Sequence, residues 1–532
     1  MSLLRNSAVQ ASLTLGSRLL GFVRDLALAY RFGQGSLMDV FTTALMLPNL
    51  FRRLFAEGAF AQAFVPIYGG VRQRDGEAAA AVTASEAMSF MLAVVAGFCV
   101  LLQVLMPWIM PLLLSAYRDQ AGIMQLGVTA TQLAMPYLAC MTIASLLSGV
   151  LNTSGRFALS AGVPVLLNLC TLIPLVAPSV IAGVDASDTL LFTTAAVTVS
   201  GIAQAGLLWW GVRRLGVGLK ISWPRLTPTV KRTLMLAIPG ALAGGAMQVN
   251  SLISQMLAGS DPGARSVLYN ADRLYQLPLS LIGVAIGLAL VPRLTRAFVS
   301  NDQEGGRQTM DDGFALAMTL ALPAAVALFV IPYVIIDATT TRGAFTSEDA
   351  ARTADVLRMF AWGVPAFILA KVLTPPFFAR QDTRRPMIFA VTSVAVTLVV
   401  GTIAFLWLAA QGRDGVLGLA AATSFSAWVN VGLLAVVLRR ENIWAPSAAF
   451  ISRMSRVVAA SAAMGLVLLL ASINYERLSS LLVAKEIAVL AICGAGALVY
   501  GVCVVLFRAA SLSELKGALR REPGAPTNLD MD

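Results

Sequence analysis

The chain has 532 residues, of which 58% are hydrophobic and 13% are charged, and its mean hydropathy is +0.77. This composition excludes a soluble globular protein of the same length. The net charge of +11 would suggest nucleic acid as a partner if the protein were soluble. Apolar windows recur along almost the whole chain, however, and indicate a polytopic membrane protein.

Several kinds of chemistry are missing from the sequence. There is no histidine, which removes imidazole acid–base catalysis and most zinc sites. No Walker loop, nucleophile elbow or HExxH motif occurs. The cysteines lie inside apolar windows without CxxC spacing, which favours small buried side chains over disulfides or metal ligands: Cys99, Cys140, Cys170, Cys493 and Cys503. We therefore expect a transporter without a cofactor or metal, and not an enzyme.

Fourteen apolar windows predict an all-α protein with fourteen transmembrane helices. They cover about 9–31, 37–68, 86–114, 126–150, 159–182, 189–212, 233–257, 270–292, 313–336, 355–379, 387–409, 415–438, 454–473 and 484–507. The second window is too long for one straight helix, and Pro48 and Pro66 predict a bend or break in it. The first window is interrupted by Arg18 and is not followed by a cleavage site, so we expect it to be retained.

The basic residues between the windows predict the orientation of the chain. With the N-terminus inside, the inner connections carry 24 lysines and arginines and the outer connections carry eight, Arg265 among them. This asymmetry predicts that both termini are cytoplasmic. It also explains the net charge without a nucleic-acid partner.

Two halves of the chain carry similar proline and arginine positions. Pro136 precedes Arg156 by 20 residues, as Pro365 precedes Arg385. Equal spacing and orientation predict two pseudo-symmetric six-helix bundles, followed by two additional spans. The predicted organisation is an N-terminal bundle (1–215), a basic cytoplasmic linker (216–232), a C-terminal bundle (233–440), a two-helix hairpin (441–508) and a cytoplasmic tail that we expect to be disordered (509–532).

Four arginines interrupt stretches that are otherwise apolar enough to span a bilayer: Arg18, Arg24, Arg52 and Arg273. Each charge at mid-membrane costs roughly 2.5–3.5 kcal/mol on insertion scales. A guanidinium group stays ionised and donates two parallel hydrogen bonds to a phosphate or carboxylate. We therefore predict a hydrated cationic cavity between the bundles that binds an anionic group.

The neighbouring polar residues leave an alternative open. Asp25, Asp39 and Glu57 could orient the arginines, lock a gate or bind a coupling cation. The basic groups could instead form internal ion pairs that hold the helices, and the spacing suggests three such pairs: Arg18–Asp25, Arg53–Glu57 and Arg273–Asp272. We favour this structural role for Arg53, Arg358 and Lys371, and ligand binding for the four arginines named above.

Three segments are similar to a known family. The segments SRLLGFVRD, LPNLFRRLFAEGAFAQAFVPIY and ADRLYQLPLSLIGVAIGLALVPRL resemble the MurJ (MviN) lipid II flippases of the multidrug/oligosaccharidyl-lipid/polysaccharide exporter superfamily. The resemblance implies fourteen spans, twelve of them in two lobes. It also implies transport of lipid II, the undecaprenyl diphosphate-linked disaccharide-pentapeptide of peptidoglycan, from the inner to the outer leaflet of the bacterial cytoplasmic membrane.

The resemblance also assigns roles to residues. It places the essential cavity arginines of the family on Arg18, Arg24, Arg52 and Arg273, and its cavity carboxylates and amide on Asp25, Asp39 and Asn49. It implies that the last two spans form a groove for the polyprenyl tail. Met46 departs from relatives that carry a basic residue there, so the charge of the cavity stays open. We expect a monomer that works by alternating access, with coupling to the membrane potential or to an ion left open.

Other functions are less compatible with the sequence. An exporter of cationic drugs would need an acidic cavity, whereas an exporter of a different lipid-linked glycan would look the same. A membrane-embedded polyprenyl-phosphate enzyme would need a catalytic carboxylate and a substantial outer loop, and the outer connections here are short. A purely structural scaffold would have no use for four intramembrane arginines.

Overall fold

A computed structural model of the chain describes residues 3–55, 59–179, 183–299, 303–380, 382–481 and 484–508. Within these ranges the chain is helical and contains no strand, so the predicted all-α class is confirmed. The α-helices are α1 Leu3–Phe32, α2 Ser36–Phe55, α3 Ala59–Leu113, α4 Ala121–Ala134, α5 Pro136–Thr153, α6 Phe157–Val176, α7 Ala186–Arg214, α8 Pro228–Ala258, α9 Ala264–Val299, α10 Gln303–Val330, α11 Pro332–Thr340, α12 Ser347–Ala361, α13 Val364–Leu373, α14 Pro375–Ala379, α15 Arg384–Ala410, α16 Val416–Arg440, α17 Ala448–Ile473, α18 Tyr475–Leu481 and α19 Lys485–Leu506.

Each of the fourteen predicted windows overlaps at least one of these helices. In the part of the chain that the structure describes, ten helical segments are long and apolar enough to cross a bilayer. The helices α1 and α2 are not among them, since each carries several charged side chains. The chain is an integral membrane protein, and the count of fourteen crossings stays a prediction.

The long second window contains α2, which is described to Phe55, and the beginning of α3, which is described from Ala59. Pro48 lies inside α2 and Pro66 lies inside α3. Neither proline therefore ends a helix, and the predicted bend stays a prediction. A proline removes one backbone hydrogen bond and can kink a helix without ending it.

A glycine makes the turn between the second and third windows. Gly76 has φ 84° and ψ 177°, which interrupts the helical geometry inside α3. Because glycine has no Cβ, it adopts this positive φ without the steric penalty of other residues. Beside the turn, the Arg72 guanidinium binds Glu77 at 2.5 Å and the Ser154 hydroxyl at 3.0 Å. The turn is thereby fastened to the end of α5.

The two proline positions of the predicted repeat both begin helices. Helix α5 begins at Pro136, and α13 begins at Val364 with Pro365 in its first turn. A proline suits this place because the first turn of a helix has no internal partner for its N–H group. The sequence repeat therefore corresponds to helix starts in both halves of the chain.

The chain divides into two compact units. The first contains the residues up to Asn270 together with Thr340–Ala350, and the second contains Ala271–Thr339 and the residues from Ala351 onward. The predicted domain boundaries at 215 and 233 remain a prediction.

The first unit has two apolar clusters. One is built on α3, α5 and α7 and includes Phe64, Met88 and Leu147. The other is built on α1, α2 and the end of α3 and includes Leu28, Phe41 and Met106. These clusters fix the two helices that carry most of the predicted site residues.

The second unit contains the hairpin of α17 and α19. The buried side chains of Met464, Leu468 and Ile492 pack against α10 and α11. At the tip of the hairpin, the Tyr475 hydroxyl donates to Asp337 at 2.8 Å, and the Lys485 ammonium lies 2.9 Å from the same carboxylate. The hairpin is therefore attached to the unit by apolar contacts and by a buried carboxylate.

A second ion-pair cluster joins α14, α15 and the end of α16. Glu441 accepts hydrogen bonds from Arg380 at 2.6 Å and from Arg385. These two guanidinium groups hold the pKa of Glu441 below its ordinary value. The end of α16 is thereby held in place at neutral pH.

Small residues allow close helix contacts within the first unit. A Cβ built on Gly201 of α7 would lie 2.8 Å from Tyr137 and 2.9 Å from Cys140, whereas a Cβ on Gly206 of the same helix would meet nothing within 4 Å. In membranes, such close approach of backbones is a main source of helix association. Gly201 therefore sets the distance between α5 and α7.

The substitution Gly201→Val is expected to destabilise the protein by about 1–3 kcal/mol, because the added methyl groups overpack the contact of α5 with α7. The measurement is the midpoint of thermal unfolding in detergent. The control is Gly206→Val, which carries the same propensity cost on the same helix without the steric conflict. Equal midpoints for the two variants would contradict this account of the packing.

Candidate functional site

Arg24 and Asp25 of α1 form an ion pair at the centre of the candidate site. The Arg24 Nη2 atom lies 2.7 Å from Asp25 Oδ1, and the side chains are 13% and 11% exposed. The Arg24 Nε–H donates to the same oxygen at 3.1 Å. The carboxylate thus offsets the cost of holding the guanidinium in apolar surroundings.

Two residues from distant parts of the chain complete this cluster. The Asn168 side-chain oxygen accepts a hydrogen bond from Arg24 Nη1 at 3.0 Å, and its amide nitrogen donates to the Ser17 carbonyl at 2.8 Å. The Tyr269 hydroxyl donates to Asp25 Oδ1 at 2.9 Å. We name Arg24, Asp25, Asn168 and Tyr269 the Arg24 cluster. It offers a guanidinium, an amide and a phenol, which are donors suited to an anionic oxygen.

Arg18 lies two turns before Asp25 on α1 and is exposed. In the part of the chain that the structure describes, no acidic side chain forms an ion pair with it. The predicted alternative of an Arg18–Asp25 pair is therefore wrong, because the adjacent Arg24 occupies the carboxylate. Arg18 keeps its donors for another group.

Arg52 and Asn49 lie near the end of α2. Both side chains are half-buried, whereas Arg53 is exposed. Glu57 lies outside the described residues, so the predicted Arg53–Glu57 pair stays a prediction. The neighbouring arginines thus differ in environment, which agrees with different roles for them.

Arg273 and Asp272 belong to α9 in the second unit. Arg273 is exposed, and the Asp272 carboxylate accepts a hydrogen bond from the Gln276 amide. Arg358, for which we favoured a structural role, pairs with Asp355 at 2.9 Å. The cavity expected between the bundles stays a prediction, as does the meeting of Arg273 with the arginines of the first unit.

Asp39 forms a separate buried cluster at the beginning of α2. Its carboxylate accepts hydrogen bonds from the backbone N–H groups of Gly263 and Ser266, both at 2.8 Å, and from the Tyr117 hydroxyl at 3.0 Å. The residue is 1% exposed. In this conformation Asp39 is not accessible to a ligand, and it fastens the start of α9 to α2.

Arg265 lies in the same region, and the prediction that it belongs to a connection between helices is wrong. It is a residue of α9, 1% exposed, and its guanidinium donates to the Leu113 carbonyl at 2.6 Å and to the Thr43 hydroxyl at 2.8 Å. The C-terminus of a helix carries a partial negative charge that stabilises a nearby cation, and Leu113 is the last residue of α3. We name Asp39, Tyr117, Gly263, Arg265 and Ser266 the Asp39 latch.

Four residues of these two clusters were not predicted as site residues from the sequence: Asn168, Tyr269, Tyr117 and Arg265. Asn168 carries a usable signal, since it is a lone amide within an apolar helix. Tyr269 and Asn270 directly precede the segment that resembles the flippases. The Asn270 amide nitrogen is buried and makes no hydrogen bond with the described residues.

A sequence profile described as lipid II flippase MurJ matches residues 28–489. The match covers most of the chain. The chain belongs to this family.

Individual family members agree with the profile along the full length. A probable lipid II flippase MurJ of Rhizobium meliloti is 37% identical over 472 residues, covering 88% of this chain and 87% of that protein. A probable lipid II flippase MurJ of Rhizobium tropici is 34% identical over 535 residues, covering 99% and 98%. The MurJ lipid II flippase of Burkholderia cenocepacia is 30% identical over 482 residues, covering 90% and 91%.

Solved structures support the same fold. A lipid II flippase MurJ in an inward closed conformation matches with a TM-score of 0.76 and 21% identity, covering 94% of this chain and 99% of that one. An inward-facing multidrug resistance transporter of the MATE family, in the MOP superfamily, matches with a TM-score of 0.64 and 13% identity, covering 82% and 98%. At these identities the likeness shows a shared fold.

The substitution Asp39→Ala is expected to lower the free energy of unfolding of this MurJ family member by about 3 kcal/mol or more. Two buried N–H groups and a hydroxyl lose their acceptor, and the Arg265 charge loses a nearby carboxylate. Tyr117→Phe removes one hydroxyl from the same latch and is expected to cost about 1 kcal/mol. Thermal unfolding in detergent measures both variants. A midpoint for Asp39→Ala no lower than that of Tyr117→Phe would refute the role given to the carboxylate.

Proposed function

We propose that this chain is a lipid II flippase of the bacterial cytoplasmic membrane. It moves the undecaprenyl diphosphate-linked disaccharide-pentapeptide from the inner to the outer leaflet, where peptidoglycan synthesis uses it. The observation that carries the proposal is the match of the MurJ profile over residues 28–489. The arginines of α1, α2 and α9 supply the chemistry that a diphosphate needs.

The diphosphate binds to Arg18, Arg24, Arg52 and Arg273, with Asn49 as a neutral donor. The exposure of Arg18 and Arg273 supports this role, since an exposed guanidinium within a span gains most from an anionic partner. Arg24 is paired with Asp25 in this structure. When the diphosphate binds, it shares Arg24 with the Asp25 carboxylate or displaces that carboxylate. Asp25 thereby neutralises Arg24 whenever no substrate is bound.

Transport proceeds by alternating access. The bundles at 1–215 and 233–440 rock so that the cavity opens first to the cytoplasm and then to the outer side. The Asp39 latch ties the start of α9 to α2 and to the end of α3, and we expect it to be intact when the cavity is closed to the outer side. Opening outward requires these hydrogen bonds to break.

The polyprenyl tail stays in an apolar environment while the headgroup crosses. The hairpin at 441–508 provides that surface, and exposed side chains such as Leu490 and Leu498 on α19 support this role. The membrane potential favours outward movement of an anion by roughly 2.3 kcal/mol per charge per 100 mV. Both termini are cytoplasmic in this scheme, and the protein acts as a monomer.

Depletion of the protein in growing cells is expected to leave lipid II on the inner leaflet, because its transfer stops. A leaflet-resolved assay of lipid II accessible from outside measures this distribution. An unchanged distribution with altered glycan polymerisation would favour a membrane-embedded enzyme. An unchanged distribution with accumulation of another polyprenyl diphosphate glycan would favour an exporter with a different substrate.

Each of Arg18→Ala, Arg52→Ala and Arg273→Ala is expected to lower the flipping rate by about 10–100-fold, since each removes a charge-assisted contact worth roughly 1.5–3 kcal/mol. Lysine at the same positions is expected to restore the rate only in part, because the bidentate geometry is lost. Transport of lipid II in reconstituted vesicles measures the rate.

The control for these variants is Arg74→Ala, which removes an exposed arginine that donates only to the Gly70 carbonyl. It is expected to keep the normal rate. Membrane abundance is measured beside the rate for every variant. A fall in abundance that matches the fall in rate would show that the arginines hold the helices and do not bind substrate.

A further inference from the structure

The segment that joins α7 to α8 combines basic and aromatic residues. From Trp209 to Leu236 it carries six basic residues and no acidic residue. At the end of α7, the Arg214 guanidinium lies 4.1 Å from the centre of the Trp210 ring, and that of Arg213 lies 5.8 Å from the Trp209 ring. We name residues 209–236 the basic–aromatic segment.

Hydrogen bonds hold the middle of this segment along α3. The backbone N–H groups of Lys220 and Ser222 donate to the hydroxyls of Ser85 and Ser89 at 3.0 Å and 2.9 Å. Each hydroxyl in turn donates to a carbonyl one turn earlier in α3. The Thr227 hydroxyl donates to Glu86 at 2.8 Å. The extended backbone therefore has a fixed position against the helix.

The fixed backbone directs apolar side chains in two directions. Val217 and Leu219 are buried against the first unit, whereas Trp223 is 81% exposed. Ile221, Leu226, Met235 and Leu236 are also exposed. Exposed apolar side chains that form a group indicate an interaction surface or contact with the membrane.

The same surface is strongly basic. Lys220, Arg225, Lys231 and Arg232 are all exposed, and the nearby Glu86 carboxylate is engaged by Thr227. Clusters of lysine and arginine next to a membrane span attract anionic lipid headgroups. Tryptophan favours the boundary between headgroups and acyl chains. The combination matches the chemistry of an anionic leaflet surface.

We propose that the basic–aromatic segment binds anionic phospholipid headgroups of the cytoplasmic leaflet, with the Trp223 ring inserted at the level of the headgroups. The exposed apolar side chains continue directly into α8 through Met235 and Leu236, and α7 spans the membrane on the other side of the segment. A soluble acidic partner would meet only the charges, whereas a lipid surface meets both charges and apolar side chains. The proposal is independent of which substrate the chain transports.

The position of Trp223 is tested with the full chain in vesicles of phosphatidylcholine or phosphatidylglycerol brominated on the acyl chains. The chain has eight tryptophans, so the Trp223 signal is the difference between the natural protein and Trp223→Phe. We expect bromine to quench this signal, and more strongly in phosphatidylglycerol. The matched control is Trp407→Phe, which removes another exposed tryptophan, on α15, and whose signal is expected to show no preference between the lipids.

The charges are tested with Lys231→Gln combined with Arg232→Gln. A basic residue near an anionic surface contributes a factor of about five to binding, so the relative affinity for phosphatidylglycerol at Trp223 is expected to fall at least about fivefold. The control pair is Arg439→Gln with Arg440→Gln, two exposed adjacent basic residues at the end of α16, and is expected to leave that affinity unchanged. Both pairs lie on the exposed surface, and equal unfolding midpoints verify that they fold.

Two results would overturn the proposal. The first is that both lipids quench the Trp223 signal equally and that Lys231→Gln combined with Arg232→Gln does not change this quenching. The other is a Trp223 signal that neither lipid quenches and that emits at the wavelength of water-exposed tryptophan, which would assign the surface to a soluble acidic partner. Loss of lipid II transport with normal quenching would affect only the proposed function.

Discussion

The free-energy cost of placing guanidinium groups among apolar helices is the constraint on which this structure depends. For Arg24, this cost is offset by an adjacent carboxylate, an amide and a phenol. Arg265 meets it with the carbonyl at the end of α3 and with a buried cluster that contains Asp39. In both places, negatively charged or carbonyl oxygens offset the positive charge of the guanidinium group. In the proposed function, an anionic substrate would compete with Asp25 for Arg24, and this competition would favour its release.

Most of the fold could be predicted from the sequence because hydrophobic length is a strong signal in membranes. Each apolar window corresponds to helix, and the prolines at 136 and 365 lie at helix starts. The effect of the prolines in the second window could not be predicted in the same way. Pro48 and Pro66 lie inside helices, since the backbone around a proline keeps its helical path when packing supports it.

The residue types of the candidate site could be predicted, but not their partners. Spacing along α1 suggested that Asp25 serves Arg18, whereas the adjacent Arg24 holds it. Asn168 and Tyr269 are 144 and 245 positions away from Arg24, so no local pattern connects them. Arg265 was assigned to an outer connection because its place near a helix start is indistinguishable from a loop in a hydropathy profile. Long-range contacts of this kind require coordinates.

The Asp39 carboxylate accepts hydrogen bonds from the backbone N–H groups of residues 263 and 266. These two bonds do not use the side chains at those positions. Every amino acid except proline supplies the same N–H group. The contact at position 266 therefore does not depend on its side chain, whereas position 263 has φ 75°, a backbone conformation that favours glycine. Correlated substitutions between position 39 and positions 263 or 266 are therefore not expected in related sequences, and these two contacts can be recognised only from the three-dimensional structure.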